Sequence, residues 1–154
     1  MSETSRILRT AARAATYHGL QAGPHFVDSH GRLDLIAAIY IGATGKTPHS
    51  FATPNTPTSP FNNMATALIE TNEPVMNAIR AVSDVLPTDK PTDSVTGLYC
   101  PIEHLWYWQT DRQHTTGQPP TDTEIVGLLL RAARENDTTV PKLLFSVPTQ
   151  RAAA

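Results

Sequence analysis

A single cysteine among 154 residues leaves no internal disulfide to form, so the chain is not a small secreted domain held together by disulfides. Charge is scarce too. Only 17% of residues are Asp, Glu, Lys or Arg, against about a quarter in ordinary soluble domains. The formal net charge is -2 and the pI about 6.3. The basic excess that draws a protein to nucleic acid or to an anionic membrane is therefore missing. No run approaches the roughly 18 apolar residues of a membrane span. The opening MSETSRILRTAARAATYHG has no apolar h-region of a secretory signal. These absences set the expectation of a soluble, cytoplasmic protein with no membrane partner. The motifs HExxH, GxSxG and GxGxxG, a glycine-rich phosphate loop and a cysteine pair are all missing as well.

What the chain has in quantity is proline, 13 residues, many beside threonine. The length is that of one domain, large enough to bury roughly two-thirds of its unfolded surface without a metal or disulfide. The pattern predicts a mainly α fold, a compact bundle of about five to six helices occupying 1–138. A long proline-rich loop at 45–63 and an extended C-terminal tail at 139–154 complete it, the tail offering one short edge strand at Leu143–Val147.

The first helix is expected from about Thr4 to His18, with Ile7, Leu8, Ala11, Ala12 and Ala15 on one face and Arg6, Arg9, Arg13 and Tyr17 on the other. Leu33–Ala43 is apolar almost all round, the mark of a helix central to a core. A buried strand shares that signature, but the Ala37–Ala38 pair argues for helix. Four prolines between Gly45 and Asn63 fix φ and remove donors, so no regular element is expected there. Loops of that length are usually functional or disordered. Helices resume at Met64–Thr71 and at Glu73–Leu86, the latter with Pro74 in its first turn and a Val75, Ile79, Val82, Leu86 stripe. Another opens at Pro101, and the last follows a Thr121–Glu124 capping box, buries Ile125, Leu128, Leu129, Ala132 and Ala133, and stops near Asn136. The tripeptide Pro-Thr-Asp recurs at Pro87, Pro91 and Pro120 without the even period of a structural repeat.

The densest chemistry lies in LYCPIEHLWYWQT, residues 98–110, which hold the only cysteine and both tryptophans. On a helix, Ile102, Leu105, Trp106 and Gln109 share a core-facing side. His104 with Trp108 lies on one flank and Tyr107 on the other, leaving more large aromatics than one core face absorbs. Aromatics are the usual anchors of pockets and interfaces. His104, Trp108 and Tyr107, with Phe51 and Phe61 of the proline-rich loop, are thus the candidate binding residues, against the more common reading of both tryptophans as ordinary core. Cys100 stands near a helix start one turn from His104, a geometry that permits a Cys–His pair. A lone cysteine beside tryptophans is more often a small buried hydrophobe. His25, Asp28 and His30 form an H-x-x-D-x-H set that could offer three metal ligands, though its spacing matches no zinc signature. The competing reading is a polar turn in which Asp28 and Ser29 cap a helix start. Arg6, Arg9 and Arg13 are the only candidates for a nucleic-acid contact, and equally the expected solvated face of an amphipathic helix.

The order of four segments resembles a family of small bacterial proteins classed as a domain of unknown function. In that family a first helix ends in His-Gly-Trp. A "DxxGR" turn, an Ala-rich helix ending in Gly and a Trp-containing helix follow, and then "T-x-x-E-V-x-x-L-L-x-x-A-A". The matching segments here are AARAATYHGLQAG, DSHGRLDLIAAIYIGATG, HLWYWQTD and TDTEIVGLLLRAA, spanning Leu8 to Arg134. Leu20 stands where the family has Trp, and Leu35 falls in a region where it carries cysteine. The resemblance implies an intracellular, mainly helical fold and brings no activity and no catalytic residue.

The leading expectation is a non-catalytic helical protein that acts through contact with a protein partner or with its own copies, with no cofactor. The alternatives are a small enzyme or small-molecule or metal binder whose pocket lies under the proline-rich loop, and a weak nucleic-acid binder using the arginine stripe.

Overall fold

The structure, a computed structural model, describes residues 1–22, 26–52, 60–92, 96–110 and 117–152, without the side chains of 60–63 and 139–152. Ser2 opens the first helix, α1 (Glu3–His18), its hydroxyl accepting the Ser5 amide proton at 3.0 Å. Ile7, Leu8, Ala11, Ala12 and Ala15 are buried as their spacing predicts. Gly19, at φ 81°, ends the helix.

The second helix, α2 (Leu35–Thr44), starts two residues later than its apolar run. The reason is local. Asp34 is its N-cap, taking the Ala37 amide on Oδ1 at 2.7 Å, while the Leu33 backbone bonds to Gly19 and Gln21 at 2.9 Å each. The cap therefore belongs to Asp34. Asp28 and Ser29 cap no helix; Asp28 closes its own turn by accepting the amides of His30 and Arg32. Every residue from Leu35 to Tyr40 is buried, so α2 is the central element. It lies tight against α1: a Cβ placed on Gly42 would stand 2.6 Å from the Ile7 carbonyl oxygen and 2.8 Å from the Ala11 nitrogen.

Regular structure occupies both flanks of the predicted proline-rich loop. A 3-10 turn forms at His49–Ala52 because Phe51 docks into the core, fully buried, with ring centroids 5.1 Å from Phe26 and 4.9 Å from Tyr40. The third helix, α3 (Pro60–Glu70), begins four residues before the predicted Met64. Proline in a first helical turn sacrifices a donor that would be unpaired anyway. Residues 53–59 lie outside the described part of the chain.

Next come α4 (Glu73–Val85), capped by Asn72, and α5 (Pro101–Thr110). The last helix, α6 (Asp122–Ala152), is capped by Thr121, whose hydroxyl accepts the Glu124 amide at 3.2 Å. It runs on through the expected stop at Asn136 and through residues for which an extended tail and edge strand are predicted. Asn136 does not turn back on its own helix. Its side chain accepts the Ser2 hydroxyl, and Asp137 beside it takes the Ser2 amide and the Ser5 hydroxyl, the latter at 2.7 Å. Among the described residues the protein is thus a mainly α bundle of six helices with isolated β-bridges and no strand. The core lies where α1 is held between α2 and α6.

Candidate functional site

The stripe that α4 buries carries one polar residue, Ser83, fully out of solvent. A buried hydroxyl needs partners, and Ser83 has two: the Tyr99 hydroxyl and His104 Nδ1, the latter at 2.6 Å. The other ring nitrogen of His104, Nε2, lies 2.7 Å from the Thr88 hydroxyl. Tyr99, Ser83, His104 and Thr88 form one connected chain that ties α4 and α5 to the segment between them. Burial pushes the His104 pKa down, and the nearby Lys90 charge adds to it, so the imidazole is neutral at neutral pH. Lys90 itself bonds Asp84 at 2.5 Å and lies 5.0 Å from the Tyr99 ring centroid.

His104 forms part of the wall of a half-open cavity of about 670 Å³ bordered by the end of α4, the segment 86–91, α5 and the first turns of α6. Val85 and Leu86 are buried beneath it, Leu128 and Trp108 are half-buried, and Tyr107 stands 45% exposed at the side. Asp89, Glu124 and Arg131 supply the charged groups around it. Gly127 leaves space: a Cβ there would meet nothing within 4 Å. Size, apolar walls and a few convergent polar groups are the general properties of a small-molecule site.

Of the five candidate binding residues, the structure brings His104, Tyr107 and Trp108 together on this cavity. Phe51 is elsewhere, in the core, and fills a packing role. The Phe61 side chain lies outside the described residues. The described residues of the proline-rich loop do not line the cavity; the segment that follows α4 does. On α5 Pro101, His104, Leu105 and Gln109 are buried, with Ile102, Trp106 and Trp108 half-buried against the core. The Trp106 ring packs edge-on to Phe26 at 6.2 Å. Thr88, Ser83, Tyr99 and Gly127 are additions that the sequence does not single out. The one signal is Ser83, a polar residue beside Val82 on an otherwise apolar stripe.

Cys100 makes no pair with His104. Both ring nitrogens of His104 face hydroxyls, and burial pushes the Cys100 thiol pKa up, the opposite of an activated thiol. In the proposed metal set, His25 lies outside the described residues and His30 is exposed. Both Asp28 oxygens are occupied by its own turn, with Arg32 Nε at 2.8 Å from Oδ2. Among the described residues no three His, Cys, Asp or Glu side chains converge to hold a metal ion.

The arginine stripe is divided. Arg6 and Arg13 are exposed, while Arg9 pairs with Asp137 at 3.5 Å. Arg9, Arg13, Thr16 and the 86% exposed Tyr17 border a second groove of about 690 Å³, closed on its far side by Val126 and Leu130 of α6. No helix among the described residues is long and apolar enough to cross a membrane. No protein-family model matches the chain, and neither a curated protein nor a solved structure matches it.

Proposed function

We propose that the protein binds a small organic molecule in the cavity between α4, α5 and α6. The observation that carries this reading is the cavity itself: about 670 Å³, mostly apolar, with Trp108 and Tyr107 on the α5 side and a neutral imidazole in the wall. The hydroxyl chain through His104 acts here as a brace that keeps the wall in place. An uncharged environment-sensitive dye, N-phenyl-1-naphthylamine, tests it. The dye is expected to brighten on the folded protein and to lose most of that signal in Gly127→Leu, which puts a side chain into the open space at Gly127. Equal dye binding by Gly127→Leu would reject the cavity as the site.

A second reading, contact with a protein partner or a second copy, is favoured by the α1–α6 groove with its exposed Tyr17 and Leu130. Native mass spectrometry of material purified from the host addresses it; recovery of free monomer alone counts against it. Nucleic-acid binding has less support, since Arg9 is already engaged by Asp137.

A further inference from the structure

The charges around the cavity are of both signs, and most are already engaged. Arg131 bonds Glu135 through Nε at 3.0 Å, one helical turn along α6. Glu124 and Trp108 each have a partner within the chain. Lys90, next along the chain from Asp89, is drawn off to Asp84. Asp89 is exposed, so its charge acts through water, where one ion pair contributes about 1 kcal/mol or less. His104 adds no charge, because its buried ring is neutral. A charged head drawn onto these walls would give up hydration and find no counter-charge reserved for it.

One polar spot in the wall is built differently. His104 Nε2 and the Thr88 hydroxyl meet at 2.7 Å, and both residues line the cavity. Ser83 takes the other ring nitrogen at 2.6 Å, which fixes the ring. A hydroxyl has one proton to donate and two lone pairs to offer. The bond to His104 uses only one of these, and Thr88 is exposed, so its hydroxyl keeps capacity for a further partner. Val85, Leu86 and Leu128 supply apolar surface in the same cavity.

Resting on the cavity reading above, we propose that the ligand is an uncharged, mainly apolar molecule with one hydroxyl or carbonyl oxygen, which bonds the Thr88 hydroxyl. The apolar body lies on Val85, Leu86 and Leu128. His104 holds the Thr88 hydroxyl in the wall.

Displacement of N-phenyl-1-naphthylamine at neutral pH tests this with four probes that share one body: 4-tert-butylbenzyl alcohol, 4-tert-butylbenzylammonium, 4-tert-butylbenzoate and 4-tert-butyltoluene. The alcohol is expected to bind at least about five-fold more tightly than either ion, since the ions lose hydration without a paired charge. In Thr88→Val the alcohol is expected to weaken by about two- to ten-fold, the range of one net hydrogen bond, while the hydrocarbon binds no less tightly than before. Thr88 is exposed, and circular dichroism of the variant confirms its fold before titration. Equal or tighter binding of either ion overturns the inference. So does an unchanged affinity for the alcohol in Thr88→Val, or an equal loss for alcohol and hydrocarbon, which would make Thr88 a matter of shape alone. If the dye binds in the cavity and the alcohol does not displace it, this inference falls and the cavity reading stands. If the dye does not bind, both fall.

Discussion

A buried imidazole needs a partner at each nitrogen, and the two that His104 finds differ in exposure. Ser83 is fully buried and serves Tyr99 as well, whereas Thr88 is exposed. Water can replace the Thr88 hydroxyl but not that of Ser83. Ser83→Ala is therefore expected to cost about 1–3 kcal/mol, the price of buried polar groups left unpaired, and Thr88→Val less than about 1 kcal/mol, within the range of surface substitutions. Urea unfolding of the two variants checks the order; a larger loss in Thr88→Val would mean that the hydroxyl chain is held from its outer end. Phe51 is a simpler case. Its ring contacts Phe26 and Tyr40 and is closed to solvent, so Phe51→Ala is expected to lose about 3–5 kcal/mol. A loss under about 1 kcal/mol would return Phe51 to the surface role that its place in a proline-rich segment suggests.

At the scale of elements, two glycines on helices are expected to respond with opposite signs. Gly42 of α2 stands where α1 crosses, and a methyl group there would press on backbone atoms that no rotamer change can move. Overpacking of this kind costs about 1–3 kcal/mol or more, which outweighs the helix-propensity gain of up to about 1 kcal/mol. Gly127 of α6 has open space in place of that backbone, so Gly127→Ala keeps the gain. Thermal melts should show Gly42→Ala falling and Gly127→Ala rising; any rise in Gly42→Ala would mean that α1 and α2 are not in close contact. Most of the helices were legible because they carry a 3.6-residue apolar stripe, and α2 because it is apolar on every face. Their ends were legible only where the cap is local. Asn72 and Thr121 cap their own helices, but Asn136 and Asp137 are spent on the start of α1, 134 and 132 residues away in the bonds to Ser2 and Ser5. The same distance effect hid the cavity. The flank of His104, Tyr107 and Trp108 is visible on a helical wheel, while its other walls come from segments that only the packed bundle brings to it. Phe51 was misjudged for the converse reason: proline spacing describes its own segment, not the hollow between Phe26 and Tyr40 that receives it.

Across the whole molecule, Asp34, His104 and Asp137 shift stability with pH, and they do not act in the same direction. Asp34 is fully buried with no hydrogen-bond partner on Oδ2, and burial pushes its pKa from 3.8 to about 8. Between those values the folded chain holds a proton that the unfolded chain has released, so stability falls as pH rises. His104 shifts the other way. Its pKa lies below the ordinary 6.5, so below 6.5 the unfolded chain takes up a proton that the folded chain refuses, and stability falls as pH drops. Asp137, held below the usual carboxylate range by the Ser5 hydroxyl and then the Ser2 amide, adds a further loss in acid, as its clamp on the start of α1 is protonated. Just below pH 6.5 the first two effects offset one another; between pH 6.5 and about 8 Asp34 sets the slope, and nearer pH 9 the raised Cys100 thiol adds to it. The protein is therefore expected to be most stable in mildly acidic solution and to lose about 1–2 kcal/mol between pH 6.5 and 8, from the roughly 1.4 kcal/mol per pH unit that one proton carries. Asp34→Asn separates the cause. Asparagine is also a good N-cap, so α2 keeps its start while the titrating group is gone, and the fall above pH 6.5 should flatten. Urea unfolding of both chains at pH 5.5, 6.5, 7.5 and 8.5 reads this directly. A variant that loses stability across that range as steeply as the parent would show that Asp34 is ionised in the core at neutral pH, and that α2 tolerates a charge at its buried end.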